Sequence, residues 1–426
     1  MKMIYRRTEK QCDQKFIETI FIPKCSLFRQ AVQKDFKCLE FMFKCGKYFG
    51  TTPFKLKETV SKSISSGIIS SILLSLYMVN IYYSTHQKII YHTNGHKVIE
   101  GVSYIISVAQ SVFVINSIFI LTFRREKSWR YLFENILALE RMITKFLDDF
   151  SKPSMLYFGL GLMYFLLVFI FISKLYFIFT SPIQLKSILV FDVMITAFYI
   201  ILFNSYYVIL ANWMRNRIDH INRILKNSSK NERMTVSGIN KITIYYKLVH
   251  TIVHQVNLIF GSTMFINICN TVLYILFFFL YAIDGGHIAA DRKILNYLHS
   301  VTYVVSEISN LLLLECGNKF VSLVILVMAC ESVEQSGKRI VKTCYSIHES
   351  VENTLVRQQL ELLVQYAEQW KPRFSAGGFY DINQSCLSSI FSAIITYLVI
   401  IIQFNMVLVD EKDEPPTEKN VTLKTW

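Results

Sequence analysis

The chain alternates long apolar stretches with short clusters of charge. Seven stretches, residues 64–83, 98–121, 155–179, 187–211, 257–282, 302–330 and 382–406, are each about as long as the ~20 mostly apolar residues a helix needs to cross a hydrocarbon core. The pattern predicts an all-α, polytopic membrane protein with seven transmembrane helices. An odd number of spans puts the two termini on opposite sides. Between the spans, two segments keep helical spacing. In 212–226, Ile218, Ile221, Ile224 and Leu225 share one face, and SSKNER then breaks the pattern. In 354–369, Val356, Leu360, Leu363, Val364 and Ala367 form a stripe that needs a partner surface. Pro372 and Gly377-Gly378 break the chain just before the last span.

Basic residues set the orientation, because Lys and Arg are retained in the cytosol. Residues 1–63 hold 14, the loop 122–154 holds 7, 212–256 holds 8 and 331–381 holds 6, giving 35 on one side. The segments 84–97, 180–186, 283–300 and 407–426 together hold 8. The N-terminus is therefore expected in the cytoplasm and the C-terminus outside, the reverse of a G-protein-coupled receptor. A metabotropic receptor is left as the weaker alternative. The net charge of +14 follows span ends and forms no nucleic-acid patch. The first 63 residues lack an apolar signal core, so the first span is expected to direct insertion.

Composition agrees with a membrane protein: 52% of the 426 residues are hydrophobic and only 18% are charged. Nine cysteines (Cys12, Cys25, Cys38, Cys45, Cys269, Cys316, Cys330, Cys344 and Cys386) form no CxxC pair and no metal spacing. Phosphate-binding glycine loops, HExxH and GxSxG are absent, so neither an enzyme nor a cofactor is expected. No paired halves suggest a transporter. The expected organisation is a cytoplasmic segment 1–63, six spans within 64–330, cytoplasmic helices in 331–380 joined by 212–256, a last span 381–406 and an outer tail 407–426.

Ionisable groups in lipid are costly and face a cavity or a partner. Lys174 and Asp192 lie in the outer parts of spans three and four, and Tyr303, Glu307 and Asn310 form a polar stripe in the outer half of span six. With Tyr104 and Gln110 of span two, these residues are candidates for a ligand pocket open to the outside. Pairing among themselves, such as Lys174 with Asp192, is the alternative. Deeper in span six, Glu315 and Lys319 are spaced for a structural ion pair.

The last span contains TYLVIIIQF, residues 396–404. On a helix Thr396, Ile400, Gln403 and Val407 share a face. Facing lipid, Gln403 would cost free energy unless the interface at the tail lay close enough for it to snorkel. Facing its copies around an axis, Ile400 would form a hydrophobic constriction and Gln403 a ring of amides.

This stretch resembles the TYhhhhhQF signature of insect gustatory receptors, and GGFYDINQSCLSSIFSAI upstream is similar to theirs. The motif match covers only the last 30 or so residues of the region, while span count, topology and length extend the likeness. The resemblance implies a homotetrameric, ligand-gated cation channel in the plasma membrane of a sensory neuron. Its central pore would be lined by the seventh span, with gate positions at Ile400, Gln403 and Phe404 beside Thr396. The cytoplasmic helices would anchor identical or related subunits. A small-molecule tastant would bind each subunit from outside. Leu398 stands where many sweet-clade receptors carry an acid, which favours a bitter or plant-derived ligand, with a fructose-type receptor as the alternative.

Overall fold

The computed structural model describes residues 34–49, 70–79, 97–118, 126–144, 186–230, 234–290 and 298–413, with a few isolated positions besides. Among these, the regular structure is entirely helical: α1 (Lys34–Tyr48), α2 (Lys97–Ile115), α3 (Glu126–Thr144), α4 (Lys186–Lys230), α5 (Val236–Ala290), α6 (Leu298–Ser350), α7 (Thr354–Gln369) and α8 (Gln384–Asp413). A shorter apolar helix, Ser70–Val79, lies at the expected first span. The expected third span, 155–179, falls outside the described residues apart from isolated positions.

Three described helices are long and apolar enough to cross a membrane: Ile195–Ser229, Val236–Leu280 and Glu315–Ser350. Their parents α4, α5 and α6 run for 45, 55 and 53 residues. At ~1.5 Å per residue each is about 68–83 Å long, more than twice a ~30 Å hydrocarbon core. A good part of each therefore continues beyond any bilayer it crosses. The apolar face of 212–226 is part of α4, whose Ile218, Ile221 and Leu225 are all buried.

The hub of the fold is α5: α2, α3, α4, α6, α7 and α8 all pack against it, while α4 also lies along α6. Aromatic rings fill the junction of α1, α3, α4 and α5. Trp129 meets Phe43 at 5.8 Å and Phe260 at 5.2 Å, and Phe203 meets Phe260 at 5.6 Å, all edge to face. Such pairs add about 0.5–1.5 kcal/mol each beyond the area they bury. Two tyrosines of α4 donate to carbonyls within α1 and just beyond it. The Tyr206 hydroxyl donates to the Met42 carbonyl at 2.9 Å, and Tyr199 to Phe49 at 3.1 Å.

One fully buried charge, Arg217 of α4, is neutralised by Glu140 of α3. Its Nε donates to Glu140 Oε1 at 2.9 Å, and its Nη2 reaches the same oxygen. Trp213 Nε1 also donates to Oε1, at 2.8 Å. Three donors on one carboxylate oxygen supply the compensation a buried ion pair needs.

Asn353 caps α7, its side chain accepting from the Leu355 and Val356 amides at 3.0 and 3.3 Å. The stripe Val356, Leu360, Leu363, Val364 and Ala367 is buried, and its partner surface is α5 and α6 of the same chain.

Candidate functional site

Two regions bear on function: the uncovered face of α8 and a polar layer inside the bundle. On α8, Ile390, Ile394 and Leu398 are spaced four apart and pack with Tyr274 and Ile275 of α5 and Cys316 of α6. That contact fixes the rotation of the helix. Thr396, Ile400 and Gln403 are consequently exposed, Ile400 by 39%. The Thr396 hydroxyl is satisfied locally, donating to the Ser392 carbonyl at 2.9 Å. The Phe404 side chain lies outside the described residues.

The candidate pocket residues are only partly described. Side chains of Lys174, Asp192, Tyr303, Glu307 and Asn310 fall outside. Tyr104 is 52% exposed, on an α2 face shared with exposed Ile105, Val108 and Val112. Gln110 is buried on α2. Glu315 and Lys319 face each other at 3.8 Å as their spacing predicts, both buried, and the Lys319 ammonium lies 3.9 Å from the Tyr274 ring centroid. That cation–π contact adds to the compensation of a charge in an apolar span.

A layer of uncharged polar groups crosses the bundle below this pair. Thr263, Asn267, Asn270 and Tyr274 of α5 are spaced four, three and four apart and share a face. Asn116, just past α2, donates to Thr263 Oγ1 at 2.7 Å. Asn267 donates to Asn204 Oδ1 of α4 at 2.9 Å, and Thr271 Oγ1 to the Asn267 carbonyl at 2.9 Å. Asn270 is fully buried at the middle of the 257–282 stretch, and among the described residues neither its Nδ2 nor its Oδ1 has a hydrogen-bond partner. The same holds for Asn267 Oδ1 and Asn318 Oδ1. Each such buried group costs about 1–3 kcal/mol when left unpaired. These amides therefore leave one donor and three acceptors without a partner among the described residues. The layer holds no Asp, Glu, Lys or Arg, so charge within the spans does not mark it in the sequence, although the α5 spacing does.

A family model described as 7tm chemosensory receptor matches residues 39–408. Two solved structures of the insect olfactory receptor OR5 from Machilis hrabei share the fold. The one in complex with eugenol superposes with a TM-score of 0.58 at 14% identity, covering 86% of this chain and 98% of that one. The other gives 0.59 at 15% identity with the same coverage. No curated protein matches the chain.

Proposed function

Because the chain belongs to the 7tm chemosensory receptor family, the superfamily of insect odorant and gustatory receptors, we propose that it is a ligand-gated cation channel of the gustatory type. The observation that carries this reading is the α8 face: Thr396, Ile400 and Gln403 are left uncovered by the subunit's own bundle. A hydroxyl, a branched aliphatic and an amide on one face suit a pore with a hydrophobic gate. Four identical subunits, or related ones, would bring four such faces around an axis, with Phe404 next to the gate. The 331–380 helices and 212–256 would form the anchor between subunits. The N-terminus would lie in the cytoplasm, and the 407–426 tail outside the plasma membrane of a sensory neuron.

The ligand is a small molecule entering from outside. The outer residues Tyr104, Lys174, Asp192, Tyr303, Glu307 and Asn310 would admit it, with Gln110 and the Asn267–Asn270 layer below. Unpaired amides select a ligand that both donates and accepts hydrogen bonds, such as a hydroxylated plant compound. The olfactory neighbour's complex with eugenol supports a small-molecule ligand. A sugar of the fructose type is the second reading, favoured by the same polar layer.

Whole-cell current in cells expressing this chain alone tests the proposal. The panel holds bitter plant compounds and sugars, with G-protein signalling blocked inside the cell. The expected result is a fast, reversible cation current to one class. A response abolished by the block would replace the channel with a metabotropic receptor.

A further inference from the structure

The connector between α7 and α8, residues 370–383, carries all but the last residue of the motif GGFYDINQ, which neither pore nor pocket explains. It folds into a tight turn. The Ala376 amide donates to the Tyr380 carbonyl at 2.9 Å, Phe379 N–H to Ala376 at 3.1 Å and Ile382 N–H to Phe374 at 2.8 Å, with an antiparallel bridge between Ser375 and Asp381. Ser375 Oγ donates to the Tyr380 carbonyl at 3.2 Å and accepts from the Gly378 amide at 3.0 Å. Gly377 and Gly378 have φ of 67° and 85°, a pair of left-handed positions that other residues adopt only with strain.

Three residues of α5, spaced four apart, hold this turn. Asn257 uses both ends of its amide as a backbone peptide would: Nδ2 donates to the Arg373 carbonyl at 2.8 Å, and Oδ1 accepts from the Ser375 amide at 3.0 Å. Gly261 lets backbone meet backbone; a Cβ there would lie 2.8 Å from the Gly377 nitrogen. Phe265 stacks on Phe379 with ring centroids 4.6 Å apart. The other side is tied to α6, Arg373 reaching Glu334 at 3.4 Å and the Gln384 amide donating to Glu331 Oε2 at 3.3 Å. Asn383 then caps α8, its Oδ1 accepting from the Cys386 amide at 3.0 Å. From the Asn257 clamp at Ser375 to the capped start of α8 is only eight residues, all hydrogen-bonded or packed.

We propose that Asn257 and Gly261 are positioning residues for the gate: through the 373–382 turn they fix the footing of α8 to the helix that carries the buried amides. The inference rests on the channel reading for its functional consequence, but not for its structural one. Asn267 and Asn270 lie ten and thirteen residues along α5 from Asn257, about 15–20 Å at helical rise. A small shift of α5 on pairing with a ligand moves Gly261 against the turn, and the turn moves the base of α8. Direct backbone contact at Gly261 leaves no side chain to absorb the shift.

Hydrogen–deuterium exchange of the full chain in lipid nanodiscs tests this. Asn257→Ala is expected to speed exchange about tenfold in 374–383 and also in the first two turns of α8, residues 384–391, while α7 is unchanged. Asn257→Asp keeps the acceptor for Ser375 and is expected to fall between. Gly261→Ala should reproduce the α8 effect with Asn257 intact. Acceleration confined to 374–383, no acceleration at all, or acceleration that includes α7 would each overturn the positioning role. In cells, the ratio of unstimulated to maximal current should change severalfold with the reversal potential unchanged. A wild-type chain that passes no current would defeat the channel reading, while the exchange result would still decide the clamp.

Discussion

At Glu140 a single carboxylate oxygen receives Arg217 and Trp213, and Arg217 is fully buried. Removing the acid takes from the buried guanidinium the carboxylate that pairs with it, a loss of about 3–5 kcal/mol. Glu140→Ala should therefore lower both surface yield and the thermal midpoint of the purified protein. The double change Glu140→Leu with Arg217→Met should be milder than Glu140→Ala alone, because no charge is stranded. An equal loss in the two variants would refute the ion-pair account. Asn270 behaves in the opposite way. Its amide has no partner among the described residues, so Asn270→Leu removes a desolvation cost and should not reduce folding. Where a ligand supplies the missing bonds, the same change should weaken sensitivity about tenfold, measured as the half-maximal concentration for current. Unaltered sensitivity would remove Asn270 from the pocket. Charges inside spans were readable from sequence because lipid makes them conspicuous, and Glu315 with Lys319 paired at the expected spacing. Uncharged amides such as Asn267 are tolerated singly in spans. Their significance came only when folding set Asn204 and Asn116 against that stretch of α5.

Among the elements, α7 was the most legible. Its five-residue stripe is the set of residues the fold buries. Leu360 lies in the stripe and is inaccessible to solvent, whereas Leu362, two positions on, is 45% exposed. Leu360→Ala should cost about 2–5 kcal/mol through lost burial and a residual cavity. Leu362→Ala should leave the thermal midpoint of the detergent-solubilised subunit near wild type. Similar losses for the two would mean that α7 is rotated from its described position. The turn after α7 shows where legibility stops. Pro372 and the paired glycines marked a break, and the break is there. Its clamp is Asn257, which lies 116 residues from Arg373 and 118 from Ser375. No local pattern encodes a hydrogen bond between residues that far apart.

For the whole molecule, the question is what covers α8. Ile394 is buried against α5 and α6, so Gln403, nine positions on and thus half a turn out of phase, cannot share that contact. Two environments remain for its amide, lipid or a neighbouring subunit. In lipid, Gln403→Leu would remove a costly polar group, and surface expression would rise or hold with current unchanged. Around a shared axis the amides pair with one another and with passing hydrated ions, and the same change replaces a polar ring with an apolar one. We predict the second result: Gln403→Leu and Gln403→Ala reach the surface at wild-type levels but alter ion selectivity or the gating midpoint. The readouts are reversal potentials in mixed cations and the dose–response curve. A current identical to wild type in both variants would place Gln403 in lipid and move the pore to another face. The Thr396–Ile400–Gln403 pattern gave that face its direction before any packing was known. The packing of Ile390, Ile394 and Leu398 on the opposite side is what leaves it available.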